Sequence, residues 1–162
     1  MLYPNRLWDL RLAMTRYIIM SVVSGTLFGV MDGLINANPL AQAFYEVYKP
    51  ILRTSVNVVA GVAIDLVYGF VMAGVFLLLY QSLPGRNGLR KGIGFGFMVW
   101  FFRVVMYIAS QWVIVNVPVG ALIYSLVTGL GEMLVIGIVY GLTLRPPERF
   151  PNTSQPPRRE TK

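Results

Sequence analysis

Four long apolar runs dominate the chain, each closed by a polar or turn-forming break. The first extends from about residue 17 to 35 and ends at Asn36-Ala37-Asn38-Pro39, whose turn chemistry stops a helix. The second, about 56–80, and the third, about 92–117, are separated by a loop rich in Gly, Pro and base. The fourth, about 119–142, follows the tight break Asn116-Val117-Pro118. A bilayer core of roughly 30 Å needs about 20 apolar residues at about 1.5 Å rise each, and every run is near or above that length. The pattern predicts an all-α integral membrane protein in which residues 1–142 form one four-transmembrane-helix bundle.

Two stretches fall outside the runs. Leu40 to Arg53 carries Phe44, Tyr45, Tyr48 and the helix-breaking Pro50. Aromatics of this kind suit the headgroup region, so the segment is expected to be short, amphipathic and interfacial, lying on the outer surface; a re-entrant segment buried against protein is the alternative. Residues 143–162 are basic and proline-rich and are expected to form an extended cytoplasmic tail. The first run continues past Ser24 and Gly29 without an A-x-A-like cleavage site, so it reads as a retained span.

Charge sets the expected topology. Arg6, Arg11 and Arg16 precede the first span, Arg86, Arg90 and Lys91 lie between the second and third, and Arg145, Arg149, Arg158, Arg159 and Lys162 follow the fourth. Lys49 and Arg53 alone lie on the opposite side. This positive-inside bias predicts both termini in the cytoplasm, most simply at the bacterial inner membrane. It also accounts for the net charge of +7 without a nucleic-acid partner.

Composition narrows the chemistry. Of 162 residues, 56% are apolar and 13% charged, about half the charged share of a soluble domain. Cysteine and histidine are both absent. That removes disulfides, thiolate and histidine metal sites, and Ser-His-Asp or Cys-His catalysis. No enzyme activity, cofactor or metal is expected.

Small residues recur at helical spacing. Ser21, Gly25, Gly29 and Gly33 follow every four residues on the first span, Gly61 and Gly69 flank Asp65, Gly92 and Gly96 open the third span, and Gly137 and Gly141 close the fourth. Residues four apart share a face, so each series makes a groove for a second backbone. The grooves either hold the bundle together or, on the Ser21–Gly33 face, dock a separate subunit.

Each span also carries one ionisable residue: Asp32, Asp65, Arg103 and Glu132. A charge at mid-bilayer costs at least about 2.5 kcal/mol, so these side chains should face protein or water. Counted at helical rise, Asp65 and Arg103 fall at similar depth and Glu132 slightly nearer the cytoplasm. The three are expected to cluster, supported by a polar face of Asn57, Tyr107, Gln111 and Thr128. Asp32, near the outer end of its span, is expected to meet water, Lys49 or Arg53. Either Asp65, Arg103 and Glu132 form a buried ion-pair network that fixes helix register, or the carboxylate left over when two acids face one guanidinium binds a proton or cation, with Glu132 the better candidate.

Two functions fit these residues. The first is a non-catalytic accessory or scaffold subunit of a larger membrane complex, whose partners are lipid, other membrane subunits or further copies of itself. The alternative is a small oligomeric proton- or cation-coupled transporter or channel working through the mid-membrane carboxylates.

Overall fold

The computed structural model describes residues 5–50, 55 and 57–144. Among them four helices are long and apolar enough to cross a membrane: Leu10–Ala37, Val58–Leu79, Gly88–Ile114 and Val119–Thr143. The tail from residue 145 and residues 51–53 of the expected surface segment, including Arg53, lie outside the described residues.

Helix α1 (Asn5–Ala37) starts well before the apolar run. Leu, Arg, Met and Ala in its first turns are all good helix formers, so nothing stops the helix where hydropathy falls. Its 33 residues span about 50 Å, more than a bilayer core requires. Asn38 then ends α1 and starts α2 (Pro39–Tyr45), its Oδ1 accepting from Ala41 N at 3.0 Å with Pro39 in the first turn. A single 3-10 turn, Glu46–Tyr48, follows. Rather than standing clear of the bundle, α2 buries Ala41 and stacks Phe44 on Tyr124, with ring centroids 5.8 Å apart.

Helix α3 covers Val58–Leu79. The third span begins at Gly88, four residues before the apolar run, because Asn87 caps it by accepting from Arg90 N at 3.0 Å. It is built from α4 (Gly88–Trp100), a π-helical turn at Phe101–Val105 and α5 (Met106–Ile114). It stops at Ile114, short of residue 117, because Val115 turns extended ahead of Pro118. Helix α6 (Val119–Thr143) completes the chain.

The helices pack as two close pairs, α1 on α3 and α4 on α6, and glycine decides both. A Cβ on Gly25 would lie 2.7 Å from Leu66 Cα, and one on Gly69 would strike the Ser21 carbonyl. On the other pair, a Cβ on Gly92 would strike the Gly137 carbonyl oxygen and sit 3.1 Å from Gly141 Cα. Gly96 meets Met133 O in the same way, and Gly88 meets Gly141. Lipid gives apolar side chains no reason to leave it, so this backbone contact is what holds each pair.

The pairs join through α1 against α6 and through an aromatic core. Phe76 sits 5.2 Å from Phe95 and 5.6 Å from Tyr140, ring centroid to centroid. The Tyr140 hydroxyl lies 2.8 Å from Ser24 Oγ and 3.1 Å from Gly69 O, tying α6 to both α1 and α3. Phe28, Met72, Ala73, Met133, Ile136, Leu83 and Leu144 complete this core. All but Phe28, which reaches Arg103, lie in the half of the bundle nearest the loop between α3 and α4. Val22, Val30, Val62, Val71, Ile123 and Val127 are exposed along mid-helix, the reverse of a water-soluble packing scheme.

Candidate functional site

The other half of the bundle is splayed. There α1, α3, the third span and α6 leave a cleft of about 370 Å³, with α2 at its edge. Each wall is set by helical spacing. From α1 come Asp32, Ile35 and Asn36; from α6, Tyr124, Ser125, Thr128, Gly129 and Glu132. Tyr68 of α3 and Tyr45 of α2 add two further aromatic walls.

The π turn supplies the remaining side. Met106 N–H bonds back to Phe101 O, five residues earlier, so the helix carries one extra residue through Phe101–Val105. Such turns lengthen the repeat locally and are frequent at functional sites. Arg103 sits at the centre of this one. Its guanidinium carbon lies 4.6 Å from the Tyr68 ring centroid and 5.3 Å from that of Phe28, both within cation–π range. Nη1 is 3.9 Å from Glu132 Oε2, near enough for attraction and too far for a hydrogen bond. Its closest polar contact is the soft Met133 Sδ, at 3.8 Å.

Glu132 is the most confined charge. Its side chain is 6% exposed, and Oε1 has no hydrogen-bond partner among the described residues. A buried polar atom without a partner is rare and costly. The cleft thus holds one guanidinium, two carboxylates and an unfilled acceptor.

The rim, by comparison, is tied by hydrogen bonds. Asn36 Nδ2 donates to Asp32 O at 2.8 Å, and the Tyr45 hydroxyl donates to Asn36 Oδ1. Tyr124 donates to Ile35 O at 2.7 Å and accepts from Asn38 Nδ2 at 2.6 Å. Burial pushes the Tyr45 phenol above its ordinary pKa of 10, so it remains a neutral donor at physiological pH. Among the described residues no three His, Cys, Asp or Glu side chains converge as metal ligands.

No known protein family, characterised protein or solved structure matches this chain.

The residues singled out by sequence separate into three groups. Arg103 and Glu132 come together, and Tyr107 and Thr128 line the cleft beside them. Asp65 does not line it: its Oδ2 lies 2.9 Å from the point a Gly29 Cβ would occupy, so the carboxylate rests over α1. Asn57 is an exposed cap at the start of α3, accepting from Ala60 N at 3.0 Å, and forms no part of an interior face. Gln111, half-buried on α5, falls outside the cleft lining, one turn beyond Tyr107 toward the end of the helix at Ile114.

Asp32 takes the place expected for Asp65. The signal was present in the sequence: Phe28, Asp32 and Asn36 share one face of α1 at four-residue spacing. Lys49, its expected partner, instead pairs with Glu46. Of the Ser21–Gly33 face, Ser21, Gly25 and Gly29 are spent on α3, while Gly33 opens onto empty space, as does Gly61.

Proposed function

We propose that this chain is a small non-enzymatic protein of the bacterial inner membrane, with both termini cytoplasmic, that couples a cation or proton to the carboxylates of its polar cleft as a transporter. The observation that carries this reading is Glu132: a nearly enclosed carboxylate with an unfilled oxygen, at the floor of a cleft within the membrane. Intramembrane ionisable groups are costly and mark ion paths in transport proteins. The positive-inside bias turns the cleft toward the outer face. The aromatic layer of Phe76, Phe95 and Tyr140 then closes the cytoplasmic half, as in a state open to one side. Arg103 acts as a resident counter-charge that a cation displaces from Glu132.

The test is flux in sealed proteoliposomes containing a pH dye, with sodium, potassium, lithium or an alkylammonium gradient imposed. The wild type is expected to move protons or charge with at least one of these, and Glu132→Gln to abolish that movement. Absence of flux with every cation, or full flux in Glu132→Gln, overturns the reading.

An accessory or scaffold subunit remains the second reading. It is favoured by a shallow apolar groove of about 300 Å³ on α3, lined by Ala63, Ile64, Val67, Tyr68 and Val71 beside the open Gly61. It loses ground because most of the α1 glycine face is occupied within the chain. A stoichiometric companion retained in nanodiscs drawn from native membranes places this reading first.

A further inference from the structure

The cleft has a chemistry more specific than negative charge. Asp32 and Glu132 against Arg103 leave a formal excess of one negative charge, which suits a monovalent cation. Four tyrosines, Tyr45, Tyr68, Tyr107 and Tyr124, line the same space. The hydroxyls of Tyr45 and Tyr124 are already engaged by Asn36, Asn38 and Ile35, so what these two offer a ligand is ring surface. Aromatic faces combined with a carboxylate are the recognition chemistry of organic ammonium ions, whereas a hard metal cation calls for a shell of oxygens.

Arg103 is itself an example of what the site holds. Its guanidinium is a planar organic cation resting on the rings of Tyr68 and Phe28, loosely placed beside Glu132 at 3.9 Å. The chain's own cation is thus held through ring faces rather than by hydrogen bonds to oxygen, and Tyr45, Tyr107 and Tyr124 give the rest of the cleft further aromatic wall for a free one. The volume, about 370 Å³, corresponds to about a dozen waters at roughly 30 Å³ each, which accommodates a small ammonium ion.

From the unpartnered Oε1 of Glu132, the tyrosine walls and the guanidinium stacked among them, we infer that the cleft is a binding site for a small organic monocation of the quaternary ammonium class. The inference deepens the transport reading above by naming its substrate class, and rests on the same site.

The experiment is calorimetric titration of the full chain in nanodiscs with choline, with its neutral isostere 3,3-dimethylbutanol, and with sodium chloride. Choline is expected to bind and the neutral isostere not to. Glu132→Gln should weaken choline by about tenfold or more, the scale of losing a hydrogen bond or contact to a charge. Tyr107→Leu, at an exposed wall position outside the helix interfaces, should weaken it by about two- to fivefold, the scale of one exposed cation–π contact. Should Glu132→Gln fail to fold, Asp32→Asn replaces it with the same expected direction. Equal binding of choline and its isostere, or sodium binding without choline binding, overturns the inference. Choline binding in a protein that shows no flux upholds the site and overturns transport; sodium-driven flux without choline binding does the reverse.

Discussion

Gly92→Ala is expected to destabilise the protein by about 3 kcal/mol, the upper end of the cost of forcing a methyl group into close packing. The added Cβ strikes the Gly137 carbonyl oxygen and stands 2.9 Å from Gly137 C, both backbone atoms of α6. Backbone cannot swing aside as a flexible side chain would, so α4 and α6 must separate along their length. Gly96 and Gly88 would lose their own contacts with α6 in the same movement. Gly33→Ala and Gly61→Ala provide the control. Each glycine has nothing within 4 Å of its ideal Cβ, and alanine is the better helix former by about 1 kcal/mol. Both variants should match or slightly exceed the wild type. Unfolding in lipid–detergent mixtures measures all three, and a Gly92→Ala protein as stable as Gly33→Ala would show that α4 and α6 do not touch in this way.

Arg103→Met is expected to cost about 2 kcal/mol, because it leaves Glu132 in the bundle without its counter-charge. Breaking a fully buried pair costs about 3–5 kcal/mol. The expectation here is smaller, since the Arg103 side chain is 31% exposed and the pair is separated by 3.9 Å. Adding Glu132→Gln to Arg103→Met should restore part of the loss, since the enclosed Glu132 charge is then gone while Asp32 keeps its own. The same unfolding assay, run as a double-mutant cycle, reads the coupling. Strictly additive single effects would mean that the two side chains do not sense each other.

How much of this was legible in the sequence differs by element. The four spans were written in hydropathy, because the bilayer imposes length and apolarity directly on each helix. Their ends were less legible. Capping by Asn87 and the helix-forming residues before Tyr17 extend helices into polar sequence, where hydropathy carries no signal. The glycine series predicted close approach, but spacing alone could not say whether α3 or another protein filled the α1 groove. At the site, Arg103 and Glu132 were legible because charge inside an apolar run demands a partner. Asp32 was missed because counting from the span end put it in water, although Phe28, Asp32 and Asn36 shared a face. No residue type encodes the π turn at Phe101–Val105, and four-residue spacing put Tyr107 in the cleft correctly but carried Gln111 past its end. Asn57 was drawn into the polar face by spacing when its position at a helix start favours capping.

The account stands on the cleft being an aqueous pocket reached from the side opposite the termini. The absence of cysteine makes that directly measurable, since any introduced thiol is unique. Thr128 lines the cleft, and Val127, its neighbour on α6 at almost the same depth, is 65% exposed on the apolar surface. Thr128→Cys and Val127→Cys would be treated, in intact cells, with a membrane-impermeant thiosulfonate bearing a quaternary ammonium group. The account predicts rapid labelling of Cys at position 128 from outside, slowed by choline, and no labelling at 127, where a thiol in lipid does not ionise. Equal labelling of the two positions, or labelling of 128 only after the cells are opened, would contradict it.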